Sequence, residues 1–250
     1  MHLPYQRRGS LRHALHVLLG CALLVHLWGN GCREEEPAGN EPLPVHLNLR
    51  LIAGSRYVYN TWQLDLYGSR VSSTLSRRSL KVADTAVVYG GFSNVNHLID
   101  SVYVALQPGV NSLDHVDSMY LRVTANGDVF WFGFLADLIE KREGSIIESR
   151  WDKVVSPSSS NGSWSVGTTD SAGVELAFGR FSADQELIAV TVNGVPQAVA
   201  AYRVDITSPR LAFTLWLTDA PAGFLRFREE SDGFAGIRGS FQEITTLSIP

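Results

Sequence analysis

The sequence predicts a mainly β fold: a large curled antiparallel sheet, half-barrel or barrel, with one short helix, behind an N-terminal signal helix. Three observations carry this. About a dozen segments alternate apolar and polar residues, with turn residues between them. Only one segment repeats at helical spacing. Residues 14–28 form an apolar run behind a basic stretch, which marks a leader rather than part of the folded body. Strand following strand through short turns makes the sheet antiparallel, and so long a meander must curl to hide its apolar face. No repeat of fixed period is present, which argues against a propeller.

The leader comes first. Residues 1–13 contain Arg7, Arg8 and Arg12 and no acid, residues 14–28 are mostly apolar, and Gly29, Asn30 and Gly31 follow. A basic region, a short apolar core and small residues are the layout of a secretory signal peptide. A membrane-spanning helix needs ~20 apolar residues, and this run is shorter and carries His16 and His26. The chain has two cysteines, Cys21 and Cys32, and residues 33–250 contain none. The body is therefore expected to hold together without disulfides.

A lone cysteine after a small residue, at the end of an apolar run, resembles the lipid-attachment site of bacterial lipoproteins. The resemblance implies cleavage before Cys32, lipid on its thiol, and contact with a membrane through that N-terminal lipid. Leu18-Leu19-Gly20-Cys21 fits the usual box more closely, but cutting there would shorten the apolar core and leave a greasy mature N-terminus. Cys32 is the expected site, Cys21 the alternative, and an unmodified cysteine within an ordinary signal sequence a third reading. The organisation expected is a lipoprotein signal peptide over 1–31, a lipid-anchored flexible tether over 32–44, and a single antiparallel β domain over 45–250. The tether reads REEEPAGNEPLP after the cysteine, rich in Glu and Pro. Arg33 differs from the aspartate that retains some lipoproteins in the inner membrane, so the resemblance implies the bacterial outer membrane. Glu34, Glu35 and Glu36 also resemble the acidic export signal of Bacteroidetes-type surface lipoproteins, or form a plain charged linker. The periplasmic and surface-exposed sides both stay open.

Within the body, residues 45–51 alternate Val45, Leu47, Leu49 and Leu51 with polar neighbours, as a strand with one wet face does. Trp62, Leu64 and Leu66 mark the next strand, and Gly68-Ser69 turns the chain into a polar strand near 70–82. Short strands are expected at 85–89, ending at Gly90-Gly91, and at 100–106, ending at Pro108-Gly109. Residues 118–134 form the clearest hairpin, with Asn126-Gly127 expected in a two-residue I′ turn. The returning VFWFGF is apolar on both faces, as in a central strand or one facing something greasy. Leu135, Leu138 and Ile139 give the single helix, over 135–142, stopped by Gly144. Further strands are expected at 151–155, 172–181, 186–192, 195–207, 210–218, 224–229 and 241–249. A loop is expected over 156–162, a hairpin turn at Asn193-Gly194, and a turn over 219–223.

Chemistry is sparse. Removing residues 1–31 takes away three arginines and no acid, which moves the net charge from −4 to −7. With no basic stripe, nucleic acid is not an expected partner. Arg77-Arg78 reads as a solvated strand face. His46, His97 and His115 are the histidines of the body. Asp114, His115 and Asp117 form the one metal-like cluster. Neighbours on an extended strand point to opposite faces, so it reads as a solvated loop, and no metal or cofactor is expected. No catalytic motif is recognisable, no catalytic residue is assigned, and an enzyme is not expected. The aromatics divide between two readings: a sheet core, or a greasy cavity whose ligand-facing candidates are Phe130, Trp131, Phe132, Phe134 and Trp216.

Tyr202-Arg203-Val204, then Trp216-Leu217-Thr218 with Pro221, then Leu225-Arg226 and a last strand over 241–244 resemble the end of envelope lipoproteins of the lipoprotein-carrier type (LolA/LolB-like). That resemblance implies a curved antiparallel sheet with a greasy concave face. The expected function is a lipid-anchored cell-envelope binding module that holds a hydrophobic small molecule or an envelope protein. The alternatives are a structural or assembly accessory acting by protein contacts, and an unrecognised hydrolase.

Overall fold

A computed structural model describes residues 47–107, 110–136, 149–157, 159, 162–167, 177–208, 211–219, 222–234 and 236–250. The chain divides into Met1–Glu41 and Pro42–Pro250, and every described residue belongs to the second unit. The expected leader, Cys21, Cys32 and the tether lie outside the described residues.

Twelve strands among the described residues form a single sheet: β1 Arg56–Asp65, β2 Ser76–Tyr89, β3 Phe92–Gln107, β4 Val110–Val123, β5 Val129–Phe132, β6 Trp151–Val155, β7 Ser163–Ser165, β8 Phe178–Val192, β9 Val195–Thr207, β10 Leu211–Leu217, β11 Phe224–Phe234 and β12 Ile237–Ser248. Their order across the sheet is β6-β5-β4-β3-β2-β1-β12-β11-β10-β9-β8-β7, so the last strand in sequence sits in the middle. A 3-10 turn over Ser72–Thr74 joins β1 to β2. No helix among the described residues is long and apolar enough to cross a membrane.

One seam departs from the meander. β12 pairs antiparallel with β11 and then, through Thr246↔Thr191 and Leu247↔Val192, parallel with β8. The seam closes β8–β12 into a five-stranded barrel. In an up-and-down meander of five strands the first and fifth run the same way, so closure has to be parallel. β1 to β6 continue the sheet outward from β12, and β7 pairs with β8. The far ends of the sheet also meet: Lys153 N–H donates to Val166 O at 3.2 Å, and Trp164 Nε1 donates to Lys153 O at 3.0 Å.

Because the sheet curls onto both of its faces, β10 is buried on both. Phe213, Leu215 and Leu217 pack with Tyr59, Phe134 and Phe227 on one face, while Thr214 and Trp216 are buried on the other. Glu186 on β8 bonds Trp216 on β10 and Arg226 on β11. Side chains two and three strands apart meet only across the inside of a barrel, so the Trp216 face is the barrel interior.

Several expectations differ in detail. Leu47, Leu49 and Leu51 are buried and Asn48 and Arg50 exposed, as the alternation requires, but the described part of 45–51 joins no strand. It is an extended strap, tied by Asn48 N–H to Asp219 Oδ1 at 2.6 Å. The strands expected at 70–82 and 85–89 are one, β2, and those at 186–192 and the end of 172–181 are one, β8. Long strands carry bulges that break the alternation without breaking the strand: β2–β3 shifts register between Val82 and Asp84, and β8–β9 between Phe181 and Gln185.

The β4–β5 turn is not of the two-residue kind. Thr124 N–H bonds Asp128 O at 2.9 Å, and of its inner residues only Gly127 has positive φ, at 82°. That is a three-residue loop with glycine in the left-handed position. At the β8–β9 turn Asn193 and Gly194 both have positive φ, 47° and 84°, as a I′ turn requires. Residues 134–136 form a helical turn whose Leu135 N–H is capped by Asp152 Oδ2 at 2.9 Å. The rest of the helix expected over 135–142 lies outside the described residues.

Candidate functional site

Strand register brings a polar patch onto the face of the sheet that carries Tyr57, Tyr59, Leu80 and Leu98. Arg78 lies opposite Tyr59 on one side and Val102 on the other, and Val102 lies opposite His115. In the next row Leu80, Asp100 and Asp117 are neighbours. Across β1 and β12, Thr61 faces Gln242. Toward one end, then, this face changes from apolar to polar. A cleft of about 280 Å³ opens there. Its polar side carries Arg78, Asp100, Asp117, Glu229 and Gln242; its apolar side carries Met119, Trp131, Phe134 and Phe213.

The floor of the cleft is an ion pair. Arg78 Nε and Nη2 donate to the two oxygens of Asp100 at 2.8 and 2.6 Å, and Nη1 donates to Gln242 Oε1 at 2.6 Å. The two side chains are only 13% and 12% exposed, so the pair is largely desolvated and needs this bidentate geometry. Burial works against the Arg78 charge, but the Asp100 carboxylate outweighs it and holds the guanidinium pKa above its usual value. Arg78 also lies 5.4 Å from the Phe227 ring centroid. Beside it, Tyr59 O–H donates to Phe224 O at 3.0 Å, and burial raises its pKa. Thr61 Oγ1, on the cleft lining, is buried with no hydrogen-bond partner among the described residues.

At the mouth, His115 Nδ1 meets Asp114 at 2.8 Å and Nε2 meets Asp117 at 3.3 Å. This corrects the reading of 114–117 as a solvated loop: all four residues lie in β4. A register shift between Val102 and Tyr103 leaves Asp114 without a partner on β3. That bulge lets adjacent residues 114 and 115 meet, which a regular strand forbids. Among the described residues no group of three or more His, Cys, Asp or Glu side chains is placed to hold a metal ion.

No known family model, no curated protein and no solved structure matches this chain.

The five aromatic candidates do not converge on one cavity. Trp131 and Phe134, with ring centroids 5.2 Å apart, form the apolar wall of the cleft. Phe130 packs on the opposite face, with the Arg122 guanidinium 4.4 Å from its centroid. Phe132 contacts Tyr89 and Trp151 and reaches the cleft rim. Trp216 lies inside the five-stranded barrel, where its Nε1 donates to Glu186 Oε2 at 2.6 Å. There Arg226 bonds both Glu186 and Glu243 and stacks 5.2 Å from the Trp216 ring. Burial would raise the Glu186 pKa, but bonds from Arg226 and Trp216 lower it below the usual carboxylate value. Where β8 and β12 splay beside their seam, a shallower groove of about 400 Å³ opens, lined by Trp62, Gln197 and Glu243.

The sequence places Arg77-Arg78 on a wet strand face; Arg77 is exposed as expected, but Arg78 is the cleft's central cation. Asp100, Glu229 and Gln242 were missed as well. A signal existed for two of them. Arg78 breaks the row Ser76-x-Arg78-x-Leu80-x-Val82, and Asp100 breaks Leu98-x-Asp100-x-Val102. A lone charge in a row of apolar parity is either buried with a partner or faces a cavity.

Proposed function

We propose that this protein is a binding module of the cell envelope that holds a small amphipathic molecule in the cleft over Arg78 and Asp100. One observation carries the reading. An aromatic wall of Trp131, Phe134 and Phe213 faces a polar floor of preorganised groups within one cavity. Apolar walls with a few fixed polar groups are what small-molecule sites are made of. The Thr61 hydroxyl offers a hydrogen bond that none of the described residues takes up. At about 280 Å³ the cleft is at the small end of the ~300–1,000 Å³ usual for ligand pockets. A ring or a short alkyl chain fits that volume and a whole diacyl lipid does not. If the chain works as a LolA/LolB-like carrier, its cargo presents one chain at a time.

Asp100 already neutralises Arg78, while Asp117 and Glu229 add negative charge, so a neutral or cationic head is favoured over a carboxylate. Tryptophan fluorescence titrated with an alkyl glucoside and with a fatty acid of equal chain length tests this. Saturable quenching by the glucoside is expected, weakened about tenfold by Trp131→Ala, a loss of about 1.4 kcal/mol, with unchanged circular dichroism. The absence of a saturable response to either probe refutes the reading.

The anchoring reading belongs to the same proposal: the mature chain begins at a lipidated Cys32 and is held at the bacterial outer membrane. Membranes from cells making Cys32→Ala should lack the protein, and the intact mass of the native product should include acyl groups. A native chain without added acyl mass removes the anchor.

A further inference from the structure

Among the described residues the longest unpaired edge lies on β4. β3 pairs with this strand from Val110 to Leu121, while β5 pairs only with Leu121, Arg122 and Val123. Among the described residues nothing pairs with the other edge between Val110 and Tyr120. In an antiparallel strand every second residue turns its N–H and C=O toward such an edge, which makes it a ready template for another strand. The side chains add to the exposure. Val110, Leu113 and Val116 are 51, 53 and 52% exposed, and Val104 and Leu106 on β3 are 42 and 64% exposed. Scattered exposed aliphatics are ordinary; here Leu113 and Val116 share one face of the strand whose edge is unpaired. Natural edges are commonly guarded by lysine or proline. β3 and residues 110–121 of β4 contain neither Lys, Arg nor Pro, and only the Asp114 bulge interrupts the edge.

We propose that the β4 edge binds an extended peptide segment of a partner protein, which adds to the sheet as a further strand. Charge decides the occupant. Asp114 and Asp117 are half or more exposed, and β3 and residues 110–121 of β4 carry no Lys or Arg to balance them. A second copy pairing antiparallel about this edge would set these aspartates against their own copies, and an anionic lipid surface would be repelled. After the bulge, His115 and Asp117 lie on the cleft face, and Leu113 and Val116 on the other. The complementary guest strand alternates basic residues on the first face with apolar residues on the second. Backbone bonds supply the affinity and the alternation supplies the choice of partner.

The test uses the full chain in mild detergent with three synthetic peptides: alternating valine and lysine, alternating valine and glutamate, and a block sequence with the lysine peptide's composition. Hydrogen exchange of the β4 amides and fluorescence anisotropy are read together. The alternating lysine peptide should protect amides between Val110 and Tyr120 and bind at least tenfold more tightly than either other peptide. Asp114→Lys combined with Asp117→Lys, both on exposed side chains, should transfer the preference to the glutamate peptide. Three outcomes overturn the proposal: equal binding of the block peptide, protection of these amides by self-association without peptide, and protection by phosphatidylglycerol vesicles but by no peptide.

Discussion

At the scale of single residues the cleft is held by groups that have few other places to go. Arg78 and Asp100 satisfy each other in bidentate geometry, with Gln242 taking a further donor. Removing one member leaves the other charged and largely desolvated, so Arg78→Ala should lower the unfolding free energy by about 3–5 kcal/mol, read from urea denaturation. Replacing both with apolar residues of similar volume should cost less than Arg78→Ala alone. Tyr57 gives a pH dependence. Burial raises its pKa to about 12, against 10.0 for the free side chain. The neutral phenol is therefore the form the fold prefers. Its stabilisation is complete below pH ~10 and is lost as pH rises from there through about 12. Tyrosinate absorbance followed through an alkaline titration should show Tyr57 ionising together with unfolding, and Tyr57→Phe should delay that transition. These two residues also show what sequence does not reveal. Alternation marks which face a side chain shares, but the partner that lets Arg78 stay buried comes from β3, and Gln242 lies 164 positions away.

At the scale of elements, turns and close approaches set the strand pairs. Gly239 is the sharpest case: a Cβ there would lie 1.8 Å from Glu229 O on the neighbouring strand. Gly239→Ala should push β12 away from β11 beside the cleft. The expected result is loss of exchange protection along Glu229–Glu230, together with a lowered melting temperature. β6, β9 and β10 were legible almost to the residue, because each is short or regular and ends at a clear turn. β2 and β8 were read as pieces, because bulges at Asp84 and near Phe181 reset the parity mid-strand, and of β3 only 100–106 was read. β7, three residues around a buried Trp164, is too short to show a period. The strap through Leu47, Leu49 and Leu51 shows the converse. One-sided burial produces alternation even where no ladder forms.

At the scale of the whole molecule, a curled sheet was readable from the succession of strands, but closure was not. It depends on two residue pairs between β8 and β12 and on the bonds that hold the end of β12. Asn193 N–H bonds Leu247 O at 2.8 Å, and its side chain both donates to Ile249 O and accepts from Ile249 N–H. Deleting residues 246–250 should open the barrel, expose Trp216 to quenchers and lower the melting temperature by several degrees. Neither face of β10 would then stay dry. The cleft, too, was hidden from sequence, because its walls come from strands on both sides of β12: Arg78, Asp100 and Trp131 from one, Phe213 and Glu229 from the other.

The position of β12 has a consequence for how the protein is made. Of the twelve strands this one is the last to be synthesised, yet it separates β1 from β11 and its register defines both curls. During synthesis, the earlier strands wait as two incomplete halves with bare margins, in need of shelter until β12 arrives and joins them.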